Sequence, residues 1–354
     1  MSLSSAQLID GNDFPLSLID LKLSTPSAEL VDDTAAVLLA PEQGDPVAVL
    51  KVARGLTGAA DMRMQRRVLA ELAIHQGLED EWRALLPRVL AFDERGDATV
   101  SVESYLPEMD LAEVLGHCPD RVEELTTAAL SAIAPLHRRT ATFVIVDNVC
   151  LLRRWVIEPL ADLTDICQRL DPRLVGEVER LGKMLRQALI GWRMPGSWTH
   201  GDYTPGNVRV AGLQGPVTGI VGWRGARPGQ PALIDEYLMM LTASCQAEQA
   251  EFGAVVSARL RAGGLADHER NALHAARDKS DADMGHHEGV TEHIEERTAI
   301  LLTWMHHVAD LWRKRVTLPN QHTWWATNVA PVLDAVAAGH VFALPSGQRK
   351  RAAG

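Results

Sequence analysis

The sequence predicts an α+β protein of two lobes, a small β-rich N-lobe followed by a large helical C-lobe. Three observations carry the prediction. Short β-rich runs concentrate in the first third, and amphipathic helical spacing dominates beyond Tyr105. A polar stretch marked by Gly and Pro, "HGDYTPGNVRVAGLQGPVTGIVGWRGA" from His200, then interrupts the helices with two short strand signals. A chain of 354 residues can supply one large two-lobed domain or two ordinary ones.

Taken in order, "TAAVLLA" and "VAVLKVA" flank "PEQGDP", a turn-forming stretch, so residues 34 to 53 read as a hairpin. In "AADMRMQRRVLAELAIHQGL", Met64, Val68, Leu69 and Leu72 recur at helical spacing, and "ATVSVESYL" is a further strand signal. Asp110 with Glu113 forms a capping-box pattern that opens "LAEVLG". Val122, Leu125, Ala129, Ile133 and Leu136 mark one helical face, with Pro135 expected to kink or end the helix. Leu174, Val178, Leu181, Leu185 and Leu189 mark another. "NVRV" and "VTGIVGW" are short strands joined by a Gly-Pro turn. "ADHERNALHAARDKSDADMGHHEGVTEH" reads as a loop or partly helical insertion, and Ile300, Trp304, His307, Val308, Leu311 and Trp312 define a late amphipathic helix. The boundaries expected are 1–105 for the N-lobe, 106–345 for the C-lobe and 346–354 for a frayed basic tail.

Composition excludes several classes. A net charge of −11, with no basic-aromatic stripe, argues against a nucleic-acid partner and leaves no polybasic face for a membrane. No apolar run approaches ~20 residues and no leader pattern opens the chain, which places the protein in the cytoplasm. The four cysteines stand apart, without metal or redox spacing, and read as reduced thiols. His286, His287, Glu288, Glu292 and His293 cluster without H-E-x-x-H spacing, so a solvated segment is favoured over a metal site. Trp304, Trp312, Trp324 and Trp325, with His306 and His307, are read as helix packing; an acceptor pocket is the alternative.

The chemistry lies in "HGDYTPGN". Asp202 supplies a carboxylate and Asn207, five residues on, an amide, with Pro205 and Gly206 making the turn between them. Phosphoryl transfer needs one acceptor to orient and deprotonate the incoming hydroxyl and a hard ligand for the magnesium that bridges the phosphates. With His200, Gly201, Asp202 and Asn207 in place, the chain resembles the aminoglycoside phosphotransferase and choline kinase-like family, over roughly residues 30 to 330. That resemblance implies a bilobal protein-kinase-like fold and phosphoryl transfer from ATP or another nucleoside triphosphate. It implies Lys51 on the α- and β-phosphates, backbone contacts to adenine from Glu103, Tyr105 and Leu106, and Asp202 as the base. It also makes Asn207 a magnesium ligand and Asp235 a buttress of the catalytic loop.

The pattern fails at two acidic positions. The family's metal-binding D-W is Gly222-Trp223 here, followed by Arg224, so the hold on magnesium is weakened. Gln65 stands where the glutamate that pairs with Lys51 is expected; Glu71 is the rival, but Val68, Leu69 and Leu72 fix the buried side and favour Gln65. The segment expected over the phosphates, with Ser24, Thr25 and Ser27, has no glycine. Three readings stay open. In one, an atypical kinase acts on a hydroxyl of a small molecule or peptide, with Arg224 as substitute charge. In another, a silent pseudokinase binds a partner such as a biosynthetic enzyme. In the third, the enzyme recruits a carboxylate from Asp281, Asp283 or Glu288.

Overall fold

A computed structural model describes residues 22–23, 29–31, 34–41, 44–96, 98–106, 109–147, 149–213, 215–284, 294–315 and 320–339. The first strands are β1 (Lys22–Leu23), β2 (Glu29–Val31), β3 (Thr34–Ala40) and β4 (Ala48–Arg54). As the turn residues between them require, β3 and β4 pair antiparallel, with Leu39 opposite Ala48. Helix α1 (Leu56–Ala73) and the short α2 (Asp80–Arg83) follow, then β5 (Val89–Arg95) and β6 (Ala98–Ser104). The strands form one antiparallel sheet in the order β1-β3-β4-β6-β5, with β2 on β3.

Strand alternation gives this sheet two different faces. Ala48, Ala91 and Val102 pack together on one, with Leu39, Leu50 and Leu90 against them. The opposite face carries Lys51 and its cross-strand partner Ser101, and Val49 with its partner Glu103. Helix α1 covers this polar face through Met62, Gln65, Val68, Leu69 and Leu72, all buried. Met64, counted with the inward stripe on spacing, is exposed instead, because the buried stripe runs through Met62.

The chain continues through β7 (Met109–Asp110), α3 (Leu111–His117), α4 (Val122–Arg139), β8 (Thr142–Ile145), α5 (Glu158–Leu170) and α6 (Val175–Leu189). Asp110 caps α3 by accepting the Glu113 backbone N–H at 2.7 Å. Pro135 does not end α4, which runs four residues past it. Proline costs the helix one backbone bond, but Leu136 and His137 beyond it are buried and hold the last turn in place. Then come β9 (Arg193–Thr199), β10 (Val208–Val210), β11 (Val217–Ile220) and β12 (Arg227–Pro231), with β10 and β11 antiparallel across the expected Gly-Pro turn. Six helices close the described chain: α7 (Leu233–Glu248), α8 (Phe252–Ala262), α9 (Asp267–Met284), α10 (Glu296–Arg315), α11 (Gln321–Asn328) and α12 (Ala330–Ala337).

These elements form two compact units. One holds the N-terminal sheet, α1 to α4, β9 to β12, α7 and nearly all of α9; the other holds α5, α6, α8 and α10 to α12. In the second, the late aromatic residues are packing elements: Trp304 donates to the Asn328 carbonyl at 2.9 Å, Trp312 stacks on Trp324, His307 meets Phe252 edge-on, and His306 bonds the Trp155 carbonyl. The insertion expected as loop or partial helix is helical as α9 over 267–284. His286, His287, Glu288, Glu292 and His293, the segment with Ser24, Thr25 and Ser27, and the basic tail lie outside the described residues. Asp281 and Asp283 fall in the last turns of α9. Among the described residues no helix is long and apolar enough to cross a membrane.

Candidate active site

The loop after β9 is built on one buried carboxylate. Asp235, in the first turn of α7 and fully buried, accepts the backbone N–H of His200 at 2.6 Å and of Gly201 at 2.9 Å. His137 of α4 bonds the same carboxylate at 2.9 Å. The expected buttress therefore fixes the loop through its backbone, leaving the loop's side chains to other tasks.

His200 is one of these. Its Nε2–H donates to the Val221 carbonyl at 2.8 Å, while Nδ1 accepts from the Asp202 backbone N–H at 3.3 Å, which selects the tautomer. The ring lies 4.6 Å from that of Trp223, itself packed edge-on against Trp82. His200 thus joins the loop to the segment 221–223 that follows β11. Gly201 has φ +77°, and a Cβ there would stand 2.2 Å from the Gly225 carbonyl oxygen, so the two backbones approach as only glycine permits.

Burial holds the His200 imidazole below its ordinary value, against the opposing pull of Asp235 and Asp202. The folded protein therefore resists a proton that the unfolded chain accepts, and stability should fall as pH drops below about 6.5. Comparing unfolding free energy at about pH 7.5 and about pH 5.5 should show a decline shared by other groups but reduced in His200→Asn, by at most ~1.4 kcal/mol per pH unit. An unchanged decline in the variant would remove His200 as its source.

Asp202 is half-buried. Its backbone carbonyl accepts Asn207 Nδ2 at 2.8 Å, which turns Asn207 Oδ1 toward Gly222. Gly222 adopts φ +82°, and a Cβ there would lie only 2.6 Å from that oxygen. The amide fills the space into which a side chain at 222 would project. No group of three or more His, Cys, Asp or Glu side chains suited to a metal occurs among the described residues. Of the two positions expected to hold magnesium, Gly222 has no side chain and Asn207 presents only a neutral amide oxygen, so neither offers a carboxylate.

Lys51 is placed from the sheet. Its Nζ lies 2.7 Å from Glu103 Oε2, and Gln65 Nε2 donates to Glu103 Oε1 at 2.6 Å. Gln65 faces inward, whereas Glu71 pairs with Arg67 at the surface. Glu103 lies within the ladder, opposite Val49 of β4 and Val89 of β5, so what it presents here is its side chain. The Tyr105 N–H donates to the Val47 carbonyl at 2.9 Å, and Leu106 packs against Gly219.

One turn before Gln65 on the same face of α1, Asp61 forms an ion pair with Arg224 at 3.5 Å. Helix α1 thereby touches both groups of predicted residues: Lys51, Gln65 and Glu103 on the sheet side, and Arg224 beside Gly222, Asn207, His200 and Asp202 on the loop side. Sequence reasoning missed Asp61 and His137. The i, i+4 relation of Asp61 to Gln65 is a signal that was present for the first; for His137 the signal was its place after the apolar stripe of α4.

A model of the phosphotransferase enzyme family matches residues 32–274. Among solved structures, a thermostable mutant of aminoglycoside phosphotransferase APH(4)-Ia in its apo form is similar over 90% of this chain and 94% of that one, with TM-score 0.54 and 14% identity. ADP-bound aminoglycoside phosphotransferase APH(2'')-Ib is similar over 89% and 93%, with TM-score 0.51 and 12% identity. No curated protein matches the chain. At these identities the likeness establishes the fold, which is the protein-kinase-like one expected from the catalytic-loop motif.

Proposed function

Because the chain belongs to the phosphotransferase enzyme family, we propose that it transfers the γ-phosphoryl group of ATP to a hydroxyl of a small molecule or peptide, in the cytoplasm. The observation that carries this reading is the anchored loop: Asp235 fixes the backbone of His200 and Gly201, the two residues immediately before Asp202, whose side chain is half-buried. In the reaction Asp202 accepts the hydroxyl proton, the hydroxyl oxygen forms its bond to the γ-phosphorus, and the bond to the bridging oxygen breaks to release ADP. Lys51, held beside Glu103, offsets charge on the phosphates, and Arg224 supplies a second cation. The direct experiment is transfer of labelled γ-phosphate, or its hydrolysis, by the whole chain against its Asp202→Ala variant.

One observation favours a second reading, a catalytically silent module that binds a protein partner: Asn207 Oδ1 occupies the space beside Gly222. Restoring the acidic residue alone should therefore fail. Gly222→Asp must place a side chain at φ +82° and displace a hydrogen-bonded amide, at a cost of roughly 1–3 kcal/mol. The expected result is a lower unfolding midpoint with no gain in ATP turnover. Turnover gained by this variant would show that Asn207 yields and that the missing carboxylate was the limiting defect.

A further inference from the structure

We infer that Glu103 is the positioning residue for Lys51, carrying from a strand the negative charge that α1 does not supply. Cross-strand partners share a face of a sheet. Lys51 stands opposite Ser101, and Glu103 lies two residues further along β6, so its carboxylate reaches the lysine diagonally. Only 5% of Glu103 is exposed, and both its oxygens are engaged: Oε2 by Lys51 at 2.7 Å and Oε1 by Gln65 at 2.6 Å, with Ser101 Oγ 3.5 Å away. A buried carboxylate is retained at a large desolvation cost unless it is paired and hydrogen-bonded, and here it is both.

The division of labour follows from the chemistry of the two heads. Gln65 is neutral, so its amide can orient the carboxylate but cannot replace it as a counter-ion. Lysine is a point charge on a flexible four-carbon stem, and its usefulness to a phosphate depends on where that stem is held. Glu103 is fixed by the ladders to β4 and β5, so the lysine is mounted by the sheet on which it stands. Removing the carboxylate also removes a negative charge near the bound phosphates, which acts in the opposite direction. The contact at 2.7 Å already spends that charge on the ammonium, so loss of placement dominates.

This inference rests on the nucleotide reading, and calorimetric titration of the whole chain with ATP separates the two. Glu103→Gln is expected to weaken ATP binding about tenfold, the difference between a charge-assisted and a neutral hydrogen bond. The exchange variant Gln65→Glu/Glu103→Gln, which returns one carboxylate to the bracket, should recover affinity to within about threefold of the parent. In a Lys51→Met background, adding Glu103→Gln should change nothing, because its effect passes through the lysine. Unchanged affinity in Glu103→Gln, an undiminished effect without Lys51, or no recovery in a folded exchange variant overturns the inference alone. If Glu103→Gln does not fold, the exchange variant decides by the same criterion. A parent chain that does not bind ATP overturns the nucleotide reading, and this inference with it.

Discussion

Asp202→Ala is expected to reduce phosphoryl transfer by about a hundred- to ten-thousandfold while leaving the fold nearly untouched. The two effects separate because of how the loop is built. The hydrogen bonds that tie Asp202 to His200 and Asn207 use its backbone N–H and carbonyl, and alanine keeps both. The loop's hold on Asp235 likewise comes from the backbone of His200 and Gly201. Because these backbone bonds survive the truncation, its cost in stability should stay well below that of Asp235→Ala. Turnover of labelled ATP and a denaturant unfolding curve, measured on the same preparations, test both halves. Equal turnover by parent and variant would exclude Asp202 as the base. A parent with no turnover toward a panel of hydroxyl acceptors, yet with ATP bound, would favour the silent module.

What the sequence disclosed and what it withheld divide along physical lines. The loop was legible because its requirements are local: a carboxylate, a turn and an amide at fixed spacing leave a mark in eight residues. The β3–β4 hairpin and the Asp110 cap were legible for the same reason. Glu103 was not. Read along the chain it belongs to a strand leading to a linker, and only the register of β6 between β4 and β5 turns its carboxylate under α1 toward Lys51. Strand β5 also escaped notice, because "VLAFDER" changes from apolar to charged residues midway and lacks a sustained alternation. Pro135 does not end its helix, since a local propensity is outweighed by burial of the turn beyond it. At Gly222 the sequence revealed the missing carboxylate. That the neighbouring amide fills the vacated space depends on a left-handed backbone angle, which no spacing rule encodes.

The largest loss of stability should come from Asp235→Ala. This carboxylate is the common acceptor for two backbone N–H groups of the loop and for the His137 imidazole, with no exposure to water. A buried donor left without a partner costs about 1–3 kcal/mol. Removing the acceptor strands more than one donor at once, so a loss of roughly 3–5 kcal/mol is expected. His137 sharpens the argument, because its Nδ1 has no partner among the described residues and Asp235 engages its other nitrogen. Asp235→Asn should recover only part of the loss, since its amide end presents donors where the loop also presents donors. His137→Ala, which removes one donor and keeps the carboxylate on the loop backbone, should cost less than either. The midpoints of denaturant curves with unchanged slope would establish this order. If Asp235→Ala lost less than about 1 kcal/mol, the loop would have to be held by the packing of His200, Tyr203 and Trp223 instead. In that case Trp223→Ala, which opens that aromatic cluster, would become the more damaging substitution.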